Sequence, residues 1–220
     1  MLEQQQVVFS VHGGVATLQL NRPEKRNAVS QPMWLAITDH LREAANDANV
    51  RALVITGLPG VFCAGADLAS VKNADPAVAQ RYHEIALESF AAIRGFPHPT
   101  LAAIDGLCIG GGCNIALACD VRIAGPQSSF AIPAVRHGIV YDEWTVNRLV
   151  ELVGSGRASH FLYSAARVGV ERAAEIGLVD VRTEDLAAET TAYLSEVMLA
   201  DDAALAGIRA HIHRSSRGVT

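Results

Sequence analysis

The sequence predicts an α/β fold, and three observations carry that prediction. The short, continuously apolar run ALVITG has the length and composition of a strand buried on both faces, and TLAAID and VRIAG read as further strands after it. Segments with helical apolar spacing separate them, so strand and helix alternate through the first half of the chain. Two glycine-bearing loops, in FCAGAD and GLCIGGGCN, join strand to helix.

The elements follow in order. Val7, Phe9 and Val11, then Ala16, Leu18 and Leu20, alternate on either side of Gly13-Gly14, which reads as a hairpin. RPEKRN is a polar loop. Met33, Trp34, Ile37, Leu41 and Ala45 place a helix over residues 31–46. ALVITG is the next strand, FCAGAD lies in a loop, and a helical region with a break at Pro76 reaches Arg94. TLAAID, GGGCNIALA and VRIAG continue as strand, helix and strand. From Glu143 the pattern is mostly helical, with a break at Gly154-Ser155-Gly156, a short strand expected at 178–181 and helices over 186–213. No Pro-, Gly- or Ser-rich linker divides the chain. A core over 1–181 and a helical region over 182–220 are therefore expected to form one domain.

Composition narrows the function. A chain of 220 residues fits one domain, and half apolar with 19% charged residues is a globular balance. The net charge of −5 and the lack of any long Lys/Arg run argue against nucleic acid as a partner. MLEQQQVVFS lacks a basic segment followed by an apolar one, and no apolar run approaches the ~20 residues of a membrane span. Cys63, Cys108, Cys113 and Cys119 have no C-x-x-C spacing and read as buried, reduced thiols. A cytoplasmic protein is expected.

A strand, a glycine loop and a helix can hold an anion on unpaired N–H groups at the positive end of the helix. No G-x-G-x-x-G opens the helix after Ile109, and no Lys-Ser/Thr follows its glycines, so neither nucleotide fingerprint is present. The glycines either pack helix closely on strand or expose an N–H to a ligand. ALVITGLPGVFCAGADL repeats the strand–glycine–helix design. Two such loops could each point one N–H at a single oxygen, which is an oxyanion hole.

FCAGADL together with AAIDGLCIGGGCNIALACDVRIA resembles the paired signature of the crotonase, or enoyl-CoA hydratase/isomerase, superfamily. LNRPEKRNA and LVGSGRASHFLYSAARVGVERAAEIGLVD extend the resemblance over about residues 7–181. It implies a spiral of ββα units with a helical, trimer-forming C-terminal region, which is shortened here because the sequence stops at RSSRGVT. It implies fatty acyl-CoA and enoyl-CoA thioesters as ligands, homotrimers or hexamers, and no cofactor besides the coenzyme A of the ligand. The oxyanion hole would be made by the N–H groups of Ala66 and Gly111. The nucleotide half of CoA would meet Arg22, Lys25, Arg26 and Ala28, and the backbone from Ala64 through Asp67 to Leu68, although a merely solvated basic loop is the competing reading. Gly110 belongs to the same binding surface, and Tyr141 and Trp144 would line the acyl tunnel.

Hydratases of this family use two glutamates, and their positions match Asn114 and Ala134 here. An amide can orient a water but cannot take its proton, and a methyl group does neither. The expected function is therefore acyl-CoA binding with little or no hydration, as a carrier, sensor or partner-binding module of lipid metabolism. The alternative is an enoyl-CoA or dienoyl-CoA isomerase with Asp142 as its single acid/base, a position that resembles the catalytic aspartate of dienoyl-CoA isomerases. Asp142 also reads as the N-cap of a helix over 143–152. A third reading is a hydrolase of CoA thioesters or β-diketones with His137 as base, against an exposed loop histidine. Asp67 reads as a helix N-cap, and Asp120 as structural. HEIALE has Leu87 where a second zinc-binding histidine would stand, and His211 and His213 lie on a polar tail, so no metal is expected. GSGRAS is not a G-x-S-x-G nucleophile elbow.

Overall fold

In the computed structural model, which describes residues 5–68 and 74–215, the chain opens with β1 (Val7–His12) antiparallel to β2 (Val15–Leu20). Gly13 and Gly14 between them both have positive φ, the conformation a two-residue hairpin turn demands. Helix α1 (Gln31–Ala45) then buries Met33, Trp34, Ile37 and Leu41 and stops one residue short of its expected end.

A three-part unit follows, and it repeats. A long strand enters a first sheet, a short strand enters a second, and a helix returns. The first unit is β3 (Ala52–Thr56), β4 (Val61–Cys63) and α2 (Pro76–Arg94). The second is β5 (Thr100–Ile104), β6 (Leu107–Ile109) and α3 (Gly111–Ala118). The third is β7 (Val121–Ala124), β8 (Ser129–Ala131), a 3-10 turn at Ala134–His137, and α4 (Glu143–Val153). After α5 (Ser155–Ser164) come β9 (Val168–Gly169), α6 (Val170–Glu175) and β10 (Val181–Arg182). Helices α7 (Leu186–Leu199) and α8 (Asp202–Ser215) complete the described chain.

The first sheet has the order β1-β2-β3-β5-β7-β10 and is parallel from β2 onward; the second has the order β4-β6-β8-β9. This is the α/β spiral of ββα units that the family resemblance implied. Continuous apolar runs form β3 and β5, each buried along nearly its whole length, as strands with cover on both faces must be.

Three expectations need correction. The phenylalanine and cysteine of FCAGAD belong to β4, not to a loop; a three-residue strand is too short to show a period. The strand expected at 178–181 begins only at Val181. Leu178 and Val179 instead donate both their N–H groups to Ala173 O, which turns the chain off α6. Pro76 does not interrupt a helix but starts one, with the Asp75 side chain accepting from Ala77 N–H. The stretch just before it, 69–73, lies outside the described residues.

Helix α8 is tied to the core through Asp120. The Asp120 carboxylate accepts from the N–H and hydroxyl of Thr100, from Arg209 Nε at 2.8 Å, and pairs with His213 Nε2 at 2.7 Å. Burial works against its charge, but Arg209 and these hydrogen bonds prevail and hold the carboxyl below its ordinary range. Asp120 is thus structural, as its place at the end of LACD suggested. Among the described residues, no helix is long and apolar enough to cross a membrane.

Candidate functional site

Sheet register brings the two glycine loops together. In the second sheet Cys63 of β4 pairs with Cys108 of β6. Three residues beyond each partner stand Ala66 and Gly111. The two loops leave parallel, adjacent strands at the same level, so both turns face one point.

The three glycines before and within α3 serve different ends. Gly110 has φ +54° and ψ −116°, which an L side chain rarely adopts. Its carbonyl accepts Asn114 N–H and so starts the helix. At Gly111 an added Cβ would stand 3.2 Å from the Ala66 nitrogen and 3.6 Å from a ring carbon of Trp34. At Gly112 it would lie 2.7 Å from the Cys63 carbonyl oxygen and 2.8 Å from Cys63 Cβ. Close packing therefore accounts for Gly112, and the approach of two loops accounts for Gly111. Among the described residues, the N–H groups of Ala66 and Gly111 donate to no acceptor.

The Ala66 turn is held from behind. Val29 N–H donates to Gly65 O and Asp67 N–H to Val29 O. The Tyr82 hydroxyl donates to Val29 O at 2.6 Å and accepts from Asp67 N–H and from the Trp34 indole. Burial pushes the Tyr82 phenol up to about 12, so it stays protonated in this role. Trp34 is legible in the sequence only as a helical apolar position and Tyr82 not at all; an aromatic with a polar tip inside a helical segment is the available signal.

The RPEKRN loop packs against the same turn. Arg22 Nη1 bonds Asp67 Oδ2 at 2.8 Å and Ala28 O at 2.9 Å, and both charged side chains are only 13% and 11% exposed. Arg22 is thereby committed to bridging two loops, whereas Lys25 and Arg26 stay exposed beside them. Asn27, fully buried, accepts from Arg22 N–H and donates to Val61 O and Phe62 O. Arg26 O accepts from Ala64 N–H. Lys25, Arg26, Ala28 and the run from Ala64 to Leu68 thus form one surface. A helix capped by Asp67 would run into 69–73, outside the described residues.

On the other side, α3 meets α4. Asn114 is 5% exposed, and its Nδ2 donates to Thr145 Oγ1 at 3.3 Å. The Thr145 hydroxyl donates to Asp142 Oδ2 at 2.7 Å, and Thr145 N–H to Asp142 Oδ1 at 2.9 Å. Asp142 is therefore the N-cap of α4. Because the single Thr145 proton goes to the carboxylate, the amide nitrogen of Asn114 faces Thr145, and its oxygen is left buried without a partner. Thr145 itself was not singled out from the sequence; a threonine three residues after a capping aspartate was the clue. Ala134 and His137 lie in the 3-10 turn, the histidine exposed. The Tyr141 hydroxyl comes within 3.8 Å of the Cβ position at Gly110, and the Arg94 guanidinium covers the Trp144 ring at 4.9 Å.

The four cysteines are buried free thiols. Burial pushes Cys63 up to about 12, which leaves no thiolate to act as nucleophile there. Among the described residues no group of His, Cys, Asp and Glu could hold a metal ion.

The chain is similar to known proteins in both sequence and fold. The profile of the family described as enoyl-CoA hydratase/isomerase matches residues 10–219. The chain is 37% identical over 166 residues to "Probable enoyl-CoA hydratase echA6" of Mycobacterium tuberculosis, covering 76% of this chain and 66% of that protein. The match thus spans slightly under two thirds of that relative's length. It is 33% identical over 194 residues to the 2,3-dehydroadipyl-CoA hydratase of Escherichia coli, covering 88% of this chain and 75% of that one. Among solved structures, DspI of Pseudomonas aeruginosa superposes with a TM-score of 0.90 at 31% identity, over 100% of this chain and 90% of that chain.

Proposed function

The chain belongs to the enoyl-CoA hydratase/isomerase family, and from that premise we propose that it binds fatty acyl-CoA thioesters while hydrating enoyl-CoA little or not at all. The observation that carries this reading is the pair of convergent, unengaged N–H groups at Ala66 and Gly111. A thioester carbonyl oxygen supplies what both lack, and backbone donors fixed in advance need no reorganisation to receive it. Lys25 and Arg26 are the exposed cations placed to meet the phosphates of CoA.

Hydration needs one group to activate water and another to protonate carbon. Asn114 and Ala134 stand where the family resemblance puts those two carboxylates. Such groups typically contribute about 10²- to 10⁴-fold each, and neither an amide nor a methyl group replaces them. A second reading, double-bond isomerisation, needs a single base, and one observation favours Asp142 for it. Thr145 joins the Asp142 carboxylate to Asn114 on the first turn of α3, one side chain away from the Gly111 turn.

Two assays test both readings. Butyryl-CoA should bind, while crotonyl-CoA hydration stays far below the ~10 s⁻¹ of a median enzyme. Turnover at that rate would contradict the carboxylate argument. Any isomerisation of a 3-enoyl-CoA should vanish in Asp142→Asn, and an unchanged rate there would reject Asp142 as its base.

A further inference from the structure

Tyr141 brings a hydroxyl to the site that neither the fold nor the reading above employs. It stands in the segment between the 3-10 turn and α4. Its oxygen lies 3.8 Å from the Cβ position at Gly110, the residue directly before Gly111. The Gly65 Cα, directly before Ala66, lies 3.9 Å from the same point. The phenol tip and the two backbone turns therefore converge. Among the described residues this hydroxyl has no hydrogen-bond partner, and the ionisable groups that act on it electrostatically are Cys113, Asp142, Cys108 and Cys63. Burial, seconded by these groups, raises its pKa well above the ordinary phenol value, so it remains a proton-bearing donor. Asp142, next in the chain, has both carboxylate oxygens bonded to Thr145, which anchors the backbone that carries the ring.

We propose that the Tyr141 O–H is a third donor to the ligand's thioester oxygen, beside the N–H groups of Ala66 and Gly111, and that the site consequently favours enolisable thioesters of the β-ketoacyl class. This rests on the reading that a thioester oxygen docks at those two N–H groups. A hydrogen bond to an anionic oxygen is roughly twice as strong as one to a neutral oxygen. When a β-ketoacyl thioester loses its C2 proton to solvent, the electron pair of that C–H bond delocalises onto the oxygens. A third donor then stabilises the enolate more than the keto form. A saturated thioester has no such anion to offer, so it gains only the weaker, neutral bond.

Acetoacetyl-CoA is the probe, because its enolate absorbs in the ultraviolet where its keto form does not. Bound to the wild-type protein, it should show a higher enolate-to-keto ratio than free in the same buffer. Tyr141→Phe removes one oxygen and keeps the ring. That ratio should fall about tenfold, the scale of one hydrogen bond to a charged group, while butyryl-CoA affinity falls roughly threefold or less. If both ligands bind and the enolate ratio is unchanged in Tyr141→Phe, the inference is overturned. Equal losses for the two ligands also overturn it, since lost packing does not distinguish charge. If neither ligand binds the wild-type protein, the failure lies with the proposed function itself.

Discussion

A methyl group added at Gly112 and side chains added at Gly111 probe different contacts, although the two residues are neighbours. At Gly112 the new Cβ meets backbone and Cβ of Cys63 below 3.0 Å, so β4 or α3 has to shift. Gly112→Ala should lower stability by about 1–3 kcal/mol, the usual range for overpacking, and leave butyryl-CoA affinity of the folded protein nearly unchanged. Denaturant melts and titrations on the same variant check this; full stability, or lost affinity with full stability, would contradict the assignment. The sequence showed that something approaches GGG closely. It did not show that three glycines answer three demands: a positive φ at Gly110, an approaching loop at Gly111 and a packed strand at Gly112. The last two demands come from Ala66 and Cys63, far off in the sequence, which no local pattern reveals. Arg22 teaches the same lesson. Its charge suggested phosphate, but Asp67, distant in sequence, already neutralises it.

At the scale of elements, short, largely apolar runs located β3, β5 and β7, and apolar spacing sustained over several helical periods located the long helices. The second sheet was not legible. Its strands have two or three residues each and lie in loops rich in glycine. The docking of α8 was not legible either, since it depends on Asp120 meeting Arg209 and His213 across the whole fold. This docking makes a pH-dependent prediction. The folded carboxyl of Asp120 lies below its ordinary value, so the stability it contributes is present above the unfolded value near 4. That contribution is lost as pH falls through the folded value. Asp120→Asn should therefore cost about 1–3 kcal/mol at neutral pH, and the gap from wild type should narrow in urea melts at pH 3. A gap of equal size at both pH values would contradict this account of the anchor.

For the whole molecule, the repetition of one unit explains why a site exists. Each ββα turn of the spiral adds a short strand to the second sheet in parallel register, so successive strand-to-helix loops emerge side by side. Pairing of Cys63 with Cys108 carries the loops of Ala66 and Gly111 to one place. The family resemblance named both residues, but only the register supplies the physical reason they meet. The central claim is that one thioester oxygen sits between them, and calorimetric titration of butyryl-CoA into wild type and Gly111→Val tests it most directly. In the variant, two methyl groups crowd the Ala66 nitrogen. Affinity should drop more than tenfold, over ~1.4 kcal/mol, while circular dichroism shows the fold intact. A folded Gly111→Val that binds butyryl-CoA as tightly as the wild type would contradict it.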